Sequence, residues 1–213
     1  MKITILGAGG NIGKRIANEA ATRNHDLTLI TSKPLSYFGF ENDKKVKTKT
    51  ADIFDTETLA DVFKGTDVVI SAYAPPHENT DLLVDASKSL VEASKKANVR
   101  LIALGGAGNL KVAENIVLAD TPEFPEAYKP IAKSHQKALE TIYRKETDLN
   151  WTNVSPSAYI FEGERTNKFR IGKDELLAND KGESSISMED FAVGILNEVD
   201  NANFPKQRFT IGY

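Results

Sequence analysis

The stretch Ile5-Leu6-Gly7-Ala8-Gly9-Gly10-Asn11-Ile12-Gly13 decides how the rest of the chain is read. Four of its residues are glycines, and they follow the apolar run Ile3-Thr4-Ile5-Leu6. A strand that turns sharply into a helix leaves the first helical N–H groups free and aligns the positive end of the helix dipole with them. A phosphate fits there when no side chain blocks its approach, which glycine ensures. The dinucleotide-binding spacing G-x-G-x-x-G would need glycine at 7, 9 and 12, but residue 12 is Ile. Gly7, Gly10 and Gly13 instead spell G-x-x-G-x-x-G. A glycine pattern acquires meaning from its setting, and this one follows a strand, opens a helix and heads a β-α-β run. The alternative is a tight turn that holds nothing.

Outward from this turn, apolar segments of strand length alternate with segments of helix length. Strands are expected at 2–6, 26–31, 47–51, 67–72, 99–104 and 150–155, and helices at 11–23, 56–63, 80–97 and 130–144. The strand segments favour Val, Ile, Leu and Thr, as buried parallel strands do. Alternation of this kind implies a parallel sheet with helices on both faces, a Rossmann-like doubly wound α/β fold. Thr80 and Asp81 are cap candidates for the third helix, and Pro130 suits the first turn of the fourth. Residues 109–130 are rich in Pro, Asp, Glu and Ala without strong periodicity, which reads as a lid or binding loop. After residue 155 come short strand-like pieces at 171–177 and 184–187, a helix at 188–199 capped by Ser187, and a last strand at 208–211. This tail is too small for a domain of its own. One domain, 1–213, is expected, with 156–213 contributing a small lobe on the substrate side.

The chain has 213 residues, no cysteine and a formal net charge of −3. Disulfides and thiolate metal ligands are excluded, and no metal site is expected. A mild acidic balance gives no basic surface for nucleic acid. No apolar run approaches the length of a membrane span, and the first residues lack a signal peptide's apolar core. Cysteine-free composition fits a reducing cytoplasm. The expected partner is a small molecule rather than nucleic acid or membrane, with the chain as monomer or homodimer.

The end of the second strand bears on which dinucleotide the turn would hold. A carboxylate there binds the ribose hydroxyls of NAD. This chain has Thr31-Ser32-Lys33, a pair of hydroxyls and an ammonium suited to a 2′-phosphate, so NADPH is expected and NADH remains possible. Asp52, after the third strand, is a candidate for the adenine amino group or for a helix cap.

These residues carry a resemblance. The chain resembles the atypical short-chain dehydrogenase/reductases in their NAD(P)H-binding, NmrA-like branch. More narrowly it is similar to small bacterial proteins named as NADH-flavin reductases, relatives of biliverdin/flavin reductase. The shared segments are GAGGNIG at 7–13, ADIFD at 51–55, RLIALGGAGNL at 100–110, SHQKALE at 134–140, WTNVSPSAYIFEGERT at 151–166 and ISMEDFAVGILNE at 186–198. The resemblance implies a sheet ordered 3-2-1-4-5-6-7 with the cofactor across its C-terminal edge. It implies pyrophosphate at Gly7, Gly9, Gly10, Asn11, Ile12 and Gly13, adenosine ribose at Ser32 and Lys33, and adenine at Asp52 and Ile53. Ser71, Ala72 and Tyr73 would approach the nicotinamide ribose, and Gly105, Gly106, Ser155, Pro156, Ser157 and Ala158 would line the nicotinamide.

Members of the larger family that reduce carbonyls use a Tyr-x-x-x-Lys pair one helical turn apart. The nearest match here, Tyr128 and Lys133, is spaced by five residues, which on a helix separates them by about 140°. Carbonyl reduction makes an alkoxide and needs a placed acid. Hydride transfer to a flavin or quinone makes a delocalised anion and depends more on stacking and proximity. The expected activity is therefore hydride transfer from NADPH to FMN, FAD or a quinone-like acceptor bound transiently. His135, on a helix face with Ile131, Ala138, Leu139 and Ile142, is the candidate acid–base group or a packing residue. His77 reads as a loop residue near the site, and Tyr73 and Tyr159 as candidates for stacking on a ring. The competing reading is a regulator that senses NADP(H) without chemistry. A nucleotide-sugar epimerase fits less well, since it would need the same pair and a larger substrate domain.

Overall fold

A computed structural model describes all residues, Met1–Tyr213. The chain runs β1 (Lys2–Leu6), α1 (Asn11–Thr22), β2 (Asp26–Ile30), β3 (Val46–Lys49), α2 (Thr56–Phe63), β4 (Val68–Ser71), α3 (Leu82–Ala97) and β5 (Arg100–Leu104). It continues with β6 (Lys111–Ala113), β7 (Ile116–Val117), α4 (Lys129–Thr141), β8 (Trp151–Pro156), β9 (Tyr159–Phe161), β10 (Arg170–Gly172), β11 (Ser185–Ser187), α5 (Met188–Asn201) and β12 (Gln207–Gly212). The central sheet has the order β3-β2-β1-β4-β5-β8-β12-β10. Its first seven strands are parallel and follow the expected 3-2-1-4-5-6-7 order. The eighth, β10, is an addition: it pairs antiparallel with β12 and closes that edge.

Period-two alternation along the strands builds two cores. Ile3 and Ile5 of β1 face one side with Ile16 and Ala20 of α1 and Phe191 and Ile195 of α5. Leu6, Ile30 and Val69 face the other side with Leu59 and Phe63 of α2, Leu90 of α3 and Leu139 of α4. The switch in direction between β1 and β4 opens a crevice beyond their C-terminal ends, where such sheets bind ligands. No helix is long and apolar enough to cross a membrane.

Two local readings need correction. Residues 109–130 are not an irregular loop: they contain the hairpin β6–β7, tied down by the Lys111 amide donating to the Asp174 carbonyl and by the Arg208 guanidinium donating to Asn109. Those anchors come from residues 63 and 99 positions later, so local composition does not reveal them. Asp81 stands at the N-cap of α3 in helical conformation and its side chain caps no N–H; it and Thr80 meet the Ser134 hydroxyl on α4 instead. Phe209 and Ile211 of β12, Ile186 and the inner face of α5 belong to the main core, β10 joins the main sheet, and β9 and β11 pair in a small sheet of their own. Ser187 does cap α5, accepting from the Asp190 amide at 3.0 Å.

Candidate active site

Gly7 has φ +70°, a left-handed conformation that glycine adopts without strain. A Cβ there would also meet the Ala72 carbonyl at 2.5 Å, so the turn lies flat against the end of β4. At Gly13 an added Cβ would overlap the Gly7 carbonyl, so the first turn of α1 rests directly on the glycine turn. Gly10 is different. It is the N-cap of α1 in extended conformation, and an added Cβ would meet only the Gly7 oxygen, at 3.4 Å. Gly7 and Gly13 thus shape the turn, while Gly10 keeps open the space in front of the helix N–H groups. That cradle is what a pyrophosphate requires, so the residues present fit a dinucleotide.

A cleft of about 590 Å³ extends from this turn along the ends of β1, β2 and β3. It brings together Gly7, Gly9, Gly10, Thr31, Ser32, Lys33, Asp52, Ile53 and Tyr73. Asn11, Ile12 and Gly13 stand behind its rim as the first residues of α1. Lys33 is set in place by its amide, which donates to the Thr31 hydroxyl at 3.0 Å, and its stem runs close to Gly9. Asp52 does not cap α2; Asp55 does, accepting from the Thr58 amide. The Asp52 carboxylate accepts only from the Phe54 amide in the chain and lines the cleft. Phe54 packs edge-on against Tyr73, centroids 6.3 Å apart. Burial, then the charge of Asp52, raises the Tyr73 phenol above its ordinary pKa.

Beyond the ends of β4 and β5, Ser71, Tyr73 and His135 meet around a small internal cavity with Ser87, Tyr143 and Asn153. Gly106 lies against the imidazole: a Cβ there would stand 2.9 Å from its Cδ2. Burial alone lowers His135 to a pKa of about 4, so the ring is uncharged at neutral pH. Burial likewise pushes the Tyr143 phenol up to about 12. Gly105 faces the Asn153 amide and the Ser155 hydroxyl, and Ser155 Oγ is buried with no hydrogen-bond partner in the chain. An orphaned hydroxyl beside the glycine pair suits a ligand's polar group. Pro156 is the last residue of β8, and beyond it the chain turns away: Ser157 is buried and donates to the Ile211 carbonyl, and the exposed Ala158 donates its amide to Ser184. Tyr159 is 65% exposed and stacks on Phe161 at 5.5 Å.

Tyr128 precedes α4 and is 54% exposed, and Lys133 lies exposed on that helix. His77 lies exposed in the loop after β4. Sequence reading missed three participants. Asn153 and Tyr143 look like ordinary strand and helix-end residues until the fold turns them to the cavity. Tyr37 sits in a 3-10 turn after β2 and donates its hydroxyl to the Gly9 carbonyl at 3.2 Å, a contact across 28 residues.

Comparison with known proteins places this geometry among relatives. The family described as NAD(P)H-binding matches residues 7–202. Among solved structures, a Burkholderia pseudomallei protein proposed to be exported is 40% identical, with full coverage of both chains and a TM-score of 0.90. A proposed epimerase from Bacteroides thetaiotaomicron is 34% identical over all of this chain and 96% of its own, TM-score 0.92. A proposed NADH-flavin reductase from Streptococcus pneumoniae is 31% identical over all of this chain and 99% of its own, TM-score 0.87. The names given to these three differ, so the activity of this chain has to be argued from its own site.

Proposed function

Because the chain belongs to the NAD(P)H-binding family, we propose that it is an oxidoreductase moving hydride from NADPH to a free flavin or quinone-like acceptor. The observation that carries this is the pairing of an open phosphate cradle at Gly10 with an exposed Lys133 on α4 and an exposed Tyr128 just before that helix. The likeness to a proposed NADH-flavin reductase supports it. When bound, the reduced dinucleotide supplies the hydride.

The chain's part is to hold and orient. Gly10 and the first N–H groups of α1 take the pyrophosphate, and Ser32 and Lys33 the adenosine ribose with its phosphate. Gly105, Gly106 and the unpartnered Ser155 hydroxyl form the floor under the nicotinamide. His135 enters as an uncharged ring packed on Gly106. It is not an imidazolium acid near neutral pH, and a delocalised product anion does not demand one.

The test is loss of reduced-nicotinamide absorbance with FMN, FAD, riboflavin, quinones and simple aldehydes offered in turn. Turnover is expected with a flavin or quinone and almost none with aldehydes. His135→Ala is expected to slow turnover by no more than about tenfold, with no new limb in the pH profile near 6.5; a hundredfold loss would make His135 a proton donor. NADPH binding without turnover on any acceptor would favour the regulator reading, and fast aldehyde reduction would overturn the argument from α4.

Cofactor choice has its own test. Ser32→Asp puts a carboxylate where it can bind ribose hydroxyls and repel a phosphate. A lost charge-assisted contact predicts NADPH binding weaker by about tenfold or more, with NADH unchanged or tighter. Fluorescence titration of both cofactors reads this directly, and equal affinities in the native protein would refute the reading of Thr31-Ser32-Lys33.

A further inference from the structure

We propose that Lys14 and Tyr37, neither of which the glycine pattern or the end of β2 singles out, join Lys33 in a seat for a ribose 2′-phosphate. The proposal rests on the NADPH reading above and deepens it by naming what discriminates the two dinucleotides.

Tyr37 is fixed from behind. The 3-10 turn Leu35–Phe38 is anchored by Phe38, which is buried in the core and meets the Tyr37 ring edge-on at 5.0 Å. In front, the Tyr37 hydroxyl donates to the Gly9 carbonyl at 3.2 Å, which holds the ring at the rim of the glycine turn. Two ammonium groups then converge on this one ring. Lys14 Nζ, from the first turn of α1, is 4.3 Å from its centroid, and Lys33 Nζ, from beyond β2, is 5.5 Å away. Both distances lie within the range in which a cation is attracted to an aromatic face.

Neither lysine forms a salt bridge, whereas Arg15, the neighbour of Lys14, pairs with both Glu162 and Glu189. Two like charges gathered on one ring with no carboxylate repel each other, and the ring offsets only part of that. An anion between or beside them removes the repulsion. The pyrophosphate is already placed by geometry at Gly10 and the N-terminus of α1. The adenosine ribose belongs at the end of β2, where Ser32 stands in place of a carboxylate and the Lys33 stem passes Gly9. A phosphate monoester on that ribose carries about −1.5 to −2 charges at neutral pH, which matches two ammoniums. Tyr37 serves as the positioning residue that holds both lysines at the spot.

The probes are 2′,5′-ADP and 5′-ADP, which share the adenosine and differ in the 2′-phosphate, together with NADPH and NADH. Each is titrated calorimetrically into the native protein and into Lys14→Gln, Lys33→Gln, the double variant, Tyr37→Leu and Tyr37→Phe, with thermal melts to show that each variant is folded. The native protein is expected to prefer 2′,5′-ADP by about a hundredfold, and each single lysine variant to lose about tenfold of that preference. The double variant is expected to have none, and 5′-ADP and NADH affinities to stay within about twofold throughout. Tyr37→Phe keeps the ring and should keep the preference, while Tyr37→Leu should lose much of it. The proposal falls if the native protein binds both probes equally, or if Lys14→Gln leaves the preference intact. It falls too if Lys14→Gln weakens both probes alike, since Lys14 would then serve the phosphates they share. All of these readouts are binding, so absence of flavin reduction leaves the seat standing, and absence of a 2′-phosphate preference leaves an NADH-dependent reductase standing.

Discussion

Gly10→Val is expected to abolish dinucleotide binding in a protein that still folds. Gly10 has φ −79° and ψ 168°, a conformation open to any residue, and an added Cβ meets only one atom, at an ordinary 3.4 Å. Valine therefore fits the fold, at the small cost of a poor helix N-cap. Its methyl groups, however, project into the cleft that Gly10 lines, in front of the free N–H groups of α1. Losing two charge-assisted hydrogen bonds to the pyrophosphate at about 1.5–3 kcal/mol each weakens binding by at least about a hundredfold. Calorimetric titration with NADPH reads the loss, and a melting temperature close to native shows that the loss is local. Native-like affinity would mean that the phosphates sit elsewhere.

Gly13→Ala should do the opposite, unfolding the protein more readily through a single methyl group. Its Cβ would overlap the Gly7 carbonyl oxygen and lie 2.8 Å from the Gly7 carbonyl carbon and 2.9 Å from Ala8 Cα. All three are backbone atoms of a turn that is itself pressed against Ala72, so none can swing aside. Helix α1 would have to lift off the sheet, disturbing Ile16 and Ala20 in the core. Overpacking of this kind costs about 3 kcal/mol, and for a chain of this size about 6–12 °C in melting temperature. Denaturant titration would show a lower midpoint with an unchanged slope. An unchanged midpoint would show that α1 does not rest on the glycine turn as the structure has it. Two glycines three residues apart are thereby assigned different work, one for the ligand and one for the chain.

Much of the architecture was legible because it is written in short-range patterns. The strand starts and ends came within a few residues, since buried parallel strands need apolar runs and the turns between them need Gly, Pro, Asn or Asp. Ser187 was legible as a cap because its partner, the Asp190 amide, lies three residues away. Asp81 was misread on the same logic: residues of the right type stand before α3, but the Ser134 hydroxyl from α4 competes for them, and nothing near residue 81 announces it. The hairpin at β6–β7 was hidden for a similar reason, its anchors being Asp174 and Arg208.

Local order of residues by itself determined the β-α-β alternation, the position of the glycine turn and the absence of an acid at the end of β2, because each depends on neighbours within a turn or two of chain. Tertiary structure alone decided the rest of the site. His135 is uncharged because burial beside Gly106 denies the imidazolium its hydration, and no spacing rule measures burial. Ser157 is implied at the nicotinamide by the family resemblance alone, and only the fold shows that its hydroxyl donates to the Ile211 carbonyl of β12. Lys14, Lys33 and Tyr37 sit 23 residues apart at most and share one ring only because α1 and the segment after β2 pack side by side at the sheet's C-terminal edge. Contacts across the sheet and between layers cost chain entropy that packing repays, and that exchange is settled by the whole fold rather than by any stretch of it.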